Sequence, residues 1–266
     1  MSGAQPEDIW EDALDEGERR LDRRTPGLAA TSFAGGADVL FGLVALFVTA
    51  SALEAVMPEQ TAHVLASATF GIAFVLITIG RAELFTENFL IPVGSVFAGR
   101  APRSALWRMW AVTLVVNLVG LTAFAALFSV HGVLPQAALD AAGKTADLVG
   151  DRELLPAFLS AVAAGTIMTL FTWVATAAES GIARLFAALL VGFLLVAPNL
   201  NHTVVGFGEL VLGLFAGTTH SDVADLARNT AVAIAGNLIG GVGLVFTTRL
   251  AQVRSEPGSR SGARGA

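Results

Sequence analysis

The chain has 266 residues, 54% of them hydrophobic and 14% charged, with 28 glycines, no cysteine and a formal net charge of −6. Soluble globular proteins carry roughly a quarter charged residues, so this composition argues against a soluble enzyme, and the missing cysteine excludes a disulfide-stapled domain and any cysteine-based metal or redox site. The 16 basic residues are scattered among loops and do not suggest nucleic-acid binding. The composition is that of an integral membrane protein.

The hydrophilic start, residues 1–30, holds eight acids and four arginines and has no apolar stretch of the signal-peptide kind. Trp10, Leu14 and Leu21 fall near one face of a short helix, which reads as an amphipathic lead-in at the membrane surface. A bilayer core of about 30 Å takes about 20 apolar residues as helix. Apolar runs of that size fall at 33–56, 60–80, 109–130, 154–178, 185–208 and 229–248. The pore domain expected over residues 31–251 is therefore all-α with six transmembrane helices. Residues 252–266, rich in Gly, Ser and Arg, read as a disordered tail.

Twelve arginines fall in the loops and termini of one side, against Lys144, Arg152 and Arg228 on the other, with Arg81 left inside the second span. Positive residues mark the cytoplasmic side, so both termini are expected in the cytoplasm, in a cell (inner) membrane.

The sequence N-L-V-G at Asn117–Gly120 in the third span returns as N-L-I-G at Asn237–Gly240 in the sixth. Three spans per repeat turn the second copy upside down, the inverted 3+3 plan of many transporters and channels. The middle span of each half is too long for the membrane. Residues 60–99 would extend roughly 60 Å as a straight helix and residues 185–219 roughly 52 Å. Each carries polar letters near its middle, Arg81–Asn88 in the first and Pro198–Thr203 in the second. Both are read as broken helices, in which non-helical backbone at membrane depth lines a cavity. The following half-helices, from about Phe89 and Val204, aim positive dipole ends inward and suit a small, singly charged anion.

At these residues the sequence resembles the formate/nitrite transporter family. The loop A-E-L-F-T of that family stands here as Ala82–Thr86, its central histidine is matched by His202, and the N-[LI]-[VI]-G elements are present. The resemblance covers roughly residues 32–252. It implies an aquaporin-like six-helix protomer, a homopentamer with one pore per subunit, and small monovalent anions as cargo, often moved with protons. It implies no cofactor and no metal. The family asparagine eight residues before a tryptophan falls, counting back from Trp173, on Gly165, and the family glutamate beside the histidine is Asn201.

His202 is the histidine within an apolar span and is expected to meet the anion and lend it a proton. Thr86 offers cargo a hydroxyl or caps the following half-helix, while Leu84 and Phe85 narrow the pore, with Phe207 a candidate for the facing wall. Asn88 belongs to the same break, and Asn201 either binds cargo or caps the second half-helix. Glu83, Glu87 and Glu209 are costly at membrane depth unless paired or wet; Arg81 is expected to pair with Glu83 or with Asp38, and Glu209 with His202 or with backbone N–H groups. Ionised and facing the pore, Glu87 and Glu209 would repel anions. Asn117 and Asn237 are expected to hold the breaks or bridge helices, and residues 131–153 to form a short interfacial helix.

Two rival readings share this plan. An aquaporin-like neutral-solute pore would need two N-P-A signatures, and the nearest letters here, Ala197–Asn199, read A-P-N. A closed membrane scaffold or sensor would keep the fold without transport. Neither the nucleophile loop of a serine protease nor H-E-x-x-H is present, so enzymatic activity is not expected.

Overall fold

A computed structural model describes residues 5–255, and among them the regular elements are all helical. Helix α1 (Pro6–Leu21) starts on a proline, with Glu7 and Asp8 in its first turn and Arg19 and Arg20 in its last, an arrangement that matches the helix dipole. Thr25 and Pro26 open α2 (Thr25–Glu54). The chain continues through α3 (Glu59–Ser67) and α4 (Gly71–Gly80), a short 3-10 turn at Phe85–Phe89, α5 (Ile91–Phe97) and α6 (Arg103–Phe128). Then come α7 (Gln136–Gly150), α8 (Leu154–Ala177), α9 (Gly181–Val196), α10 (Thr203–Ala216) and α11 (Val223–Leu238). A π-helical stretch, Ile239–Phe246, carries α11 into α12 (Thr247–Ser255).

Among the described residues five helical stretches are long and apolar enough to cross a membrane: Thr25–Glu54, Glu59–Gly80, Arg103–Phe128, Leu154–Ala177 and Val223–Ser255. The expected span at 185–208, read as broken, holds two shorter apolar helices, α9 and α10. Arg81, just after α4, and Asn199, between α9 and α10, both adopt left-handed backbone, with φ of 54° and 52°. A single left-handed residue ends helical hydrogen bonding sharply, and Ala82–Leu84 and Leu200–His202 follow as non-helical chain.

Helix α2 packs along α6, α8 along α11 and the π-helical stretch, α4 on α9, and α10 on α7. Close approach depends on glycine in the first two pairs. A methyl group on Gly36 would overlap the Asn117 carbonyl, and one on Gly120 the Phe33 carbonyl. In the other pair, Gly165 meets the Asn237 carbonyl and Gly240 the Val162 carbonyl in the same manner. Between these pairs lies an apolar core of Leu40, Leu43, Phe70, Phe74, Leu121, Met168, Val204 and Leu212.

Three expected segments take a more definite form. The start of the chain does not spread a free apolar face: α1 buries Ile9, Trp10 and Leu14 in a cluster with Leu90, Trp173 and Phe246, because Gly94 and Gly17 admit it against α5. The helix within 131–153 is α7, and its small residues Ala138, Ala142, Gly143 and Ala146 bury one face against α10 and Thr218. Of the expected tail, Gln252–Ser255 end α12 and the rest lies outside the described residues.

Candidate functional site

Two asparagines organise the two breaks with the same set of bonds. The Asn117 amide donates to the carbonyls of Ser32 (2.7 Å) and Glu83 (2.8 Å), and its oxygen accepts the N–H of Phe85 (2.9 Å). The Asn237 amide donates to the carbonyls of Ala161 (2.7 Å) and Asn201 (3.1 Å), and its oxygen accepts the N–H of Thr203 (2.9 Å). A helix start buried in an apolar core leaves N–H groups that must find partners. Both asparagines are fully buried and supply one such partner at each break.

At the end of the second break stands His202. It is the N-cap of α10, and its Nδ1 accepts the Val205 N–H at 3.2 Å. That bond leaves the ring proton on Nε2, which donates to Thr86 Oγ1 at 2.6 Å. Thr86 and His202 are both fully buried. The pair joins the first break to the second, and the hydrogen of the Thr86 hydroxyl is left for another acceptor. Thr86 therefore serves His202 and not a helix cap.

Leu84 is fully buried in the main core, and Phe85 stacks edge-on against Phe89 with ring centres 5.0 Å apart. Asn88 braces its own loop: its side-chain amide donates to the Leu84 carbonyl (3.1 Å) and to Glu83 (3.3 Å), and its backbone carbonyl accepts the Trp110 indole N–H (3.0 Å). Asn201 neither caps α10 nor stands free. Its amide and that of Asn229 exchange hydrogen bonds at 2.9 and 3.1 Å, and its backbone N–H donates to Ser160 Oγ. Phe207 is partly buried against the main core.

The charges are arranged differently from expectation. Glu83 pairs with Arg23 at 2.8 Å and Arg20 at 3.6 Å, both reaching in from the start of the chain. Arg81, left-handed at the end of α4, and Asp38 take part in no ion pair or side-chain hydrogen bond among the described residues, and Glu83 is already held by Arg20 and Arg23. Arg20 is held in turn by Glu16 at 2.8 Å. Half-burial pushes the Glu16 carboxyl up, but hydrogen bonds from Arg19 and Arg20 outweigh it and hold the group at about 2.

These residues enclose a vestibule of about 660 Å³ under α1, lined by Arg20, Arg23, Arg81, Glu83, Glu87, Thr172 and Arg184 among others. Glu87 projects into it. The side chain is 8% exposed, and its Oε1 is buried without a hydrogen-bond partner. Glu209, on α10, is 6% exposed and makes neither a hydrogen bond nor an ion pair among the described residues. It binds neither His202 nor the break; the opposite charge that acts on it through space is Arg152.

Sequence reasoning missed Arg20, Arg23, Ser160 and Asn229. A signal for part of this was present. Arg23 and Thr31 recur as Arg152 and Ser160 at the spacing that separates Gly36 from Gly165, and each arginine donates to the hydroxyl eight residues on, at 3.5 and 3.2 Å. Gly165 lies against the Asn237 backbone, so the position counted from Trp173 touches a neighbouring helix rather than His202.

A family model described as formate/nitrite transporter matches residues 7–251. The chain is 27% identical to the inner membrane protein YfdC of Escherichia coli over 93% of its own length and 79% of that protein. It is 24% identical to the formate channel BtFdhC of Bacillus thuringiensis, over 92% of this chain and 94% of that one. With the nitrite transporter NirC of Salmonella typhimurium it shares 28% identity over 84% and 82% of the two chains. Among solved structures, an FNT family ion channel superposes with a TM-score of 0.80 at 22% identity, covering 92% of this chain and 98% of that one. A pentameric formate channel with formate bound superposes with a TM-score of 0.70 at 17% identity, over 86% and 97%. With the family model spanning nearly every described residue and the fold shared with those channels, the chain belongs to the formate/nitrite transporter family.

Proposed function

We propose that the protein is a membrane pore for small monovalent anions of weak acids, such as formate, nitrite or hydrosulfide, moved together with a proton. The observation that carries this reading is the buried Thr86–His202 pair at the meeting point of the two breaks. A bare anion loses its water there at a cost of several kcal/mol or more. A neutral acid does not, and a hydroxyl backed by a histidine N–H can hold its oxygen. The chain cargo–Thr86–His202 keeps the proton with the cargo across the dry constriction. Transport, and not catalysis, is the activity expected of this arrangement.

The matching bonds of Asn117 and Asn237 support an inverted 3+3 repeat. In this reading α2, the α3–α5 segment and α6 form one half, and α8, the α9–α10 segment and α11–α12 the other, with the second and fifth crossings broken. By likeness to the relative described as a pentameric formate channel, the protomers assemble as a homopentamer. The arginine bias supports an inner-membrane protein with both termini cytoplasmic. Leu84 and Phe85 narrow the passage and Phe207 faces them, while Asn201 is held in the second break by Asn229.

The test is pH-dependent uptake into proteoliposomes holding the wild type or His202→Ala, with formate, nitrite, hydrosulfide and lactate. Saturable, proton-driven flux that the mutant loses is the expected result. Flux of urea or glycerol with no anion flux would establish the neutral-solute pore, and no flux at any pH would leave a closed scaffold.

A further inference from the structure

Glu87 has no use in the architecture just described. It neighbours Thr86, it is 8% exposed, and no hydrogen bond or ion pair among the described residues holds its carboxyl. The equivalent demand at Glu83 is met by two arginines and Asn88. A carboxyl left without partners at membrane depth is expensive, and one that opens onto a vestibule beside the cargo path is placed for proton exchange.

The groups around it fit that task. From α1, Arg20 acts on Glu87 through space without a hydrogen bond, because Glu16 and Glu83 already occupy its guanidinium. Arg23 lies beyond, committed to Glu83. From its own loop Glu83 and Arg81 face the cavity, and from the edge of α9 so does Arg184, while Asp12, Asp15 and Arg19 line the outer wall. The facing stretch of α8 contributes the hydroxyls of Thr172 and Thr176 and no charge. Glu87 lines this cavity and its neighbour Thr86 is fully buried behind it, so an anion in the vestibule reaches the Glu87 carboxyl first.

We propose that Glu87 is the group that hands the cargo its proton on the α1 side of the constriction. The inference rests on the transport reading above. The protonated carboxyl breaks its O–H bond as the incoming anion forms one, giving the Glu87 carboxylate and the neutral acid. The neutral acid moves on to Thr86 and His202, and the carboxylate takes its next proton from vestibule water. The charge that would repel an anion is absent when the anion arrives and appears only after the anion has been neutralised.

The experiment compares formate uptake by proteoliposomes of wild type, Glu87→Gln and Glu87→Asp from about pH 5 to about pH 8. Glutamine keeps the size of the side chain and cannot exchange a carboxyl proton, and gel filtration of each purified variant reports folding. The expected result is a loss of about tenfold or more for Glu87→Gln at the alkaline end, within the range of general acid catalysis. The loss shrinks towards the acid end, where the bulk supplies neutral acid, and Glu87→Asp retains most of the alkaline flux. Equal or greater flux in Glu87→Gln at every pH, or a loss that does not vary with pH, overturns the proposal while transport itself stands. A wild type that moves no anion under any condition overturns both.

Discussion

At the scale of single residues, the breaks depend on side chains that make several bonds at once. Asn117 and Asn237 each join three chain segments through three backbone groups, in bonds that are all buried. Removing one amide leaves a buried N–H and two buried carbonyls short of a partner, at about 1–3 kcal/mol each before relaxation. Asn117→Ala and Asn237→Ala should each lower stability by about 2–4 kcal/mol, measured as denaturant unfolding of the purified protein in detergent. A change under about 0.5 kcal/mol, the scatter of ordinary surface substitutions, would show that the breaks hold without these bonds. The N-L-V-G and N-L-I-G repeats made both asparagines legible in sequence. The partners of Glu83 were not legible, because Arg20 and Arg23 lie some sixty residues away and nothing local points from one to the other.

At the scale of elements, the helix pairs are set by glycine. Gly36 and Gly165 sit where backbone meets backbone, so their neighbours, the Asn117 and Asn237 carbonyls, cannot step aside as a flexible side chain would. Overpacking a tight contact costs about 1–3 kcal/mol when it can be absorbed. Gly165→Asn should therefore destabilise by at least about that much and reduce uptake together with folded yield, rather than give His202 a new partner. Yield and unfolding midpoint measured beside formate flux would separate the outcomes, and a well-folded variant with raised flux would show that the helices part more readily than the geometry implies. The length of the apolar runs located the long helices because such runs are local. The docking of α1 could not be read that way: its apolar face of Ile9, Trp10 and Leu14 fits a membrane surface as well as it fits α5, and the glycines that admit it, Gly17 and Gly94, gain meaning only once the helices meet.

At the scale of the whole molecule, the end opposite α1 carries an ionic latch. His220, in the turn after α10, faces Asp147 at 3.1 Å and Asp151 at 3.0 Å, both at the end of α7. The hydrogen bond to Asp151, and then the charge of Asp147, raise the His220 imidazole above its ordinary value. A group raised on folding stabilises fully below its unfolded value, about 6.5, and that contribution is lost as pH rises through the folded value. His220→Gln should accordingly lower the unfolding temperature in mildly acid buffer and have no effect well above neutrality, by thermal scans across pH. A constant difference at all pH values would mean that the latch is packing and not charge. The latch was invisible in sequence, since His220 reads as a loop histidine and α7 as a surface helix until Gly143 brings the two together.

The polar bonds that hold each break stay within one half of the chain. Ser32, Glu83, Phe85 and Asn117 close the first, and Ala161, Asn201, Thr203 and Asn237 close the second. During synthesis the first set is complete as soon as α6 has emerged, before any residue of the second set exists. Chains are made from the N-terminus and their units fold in that order. The residues of the first break can thus meet before those of the second have been made, whereas the Thr86–His202 bond, which spans the halves, cannot form until both are present.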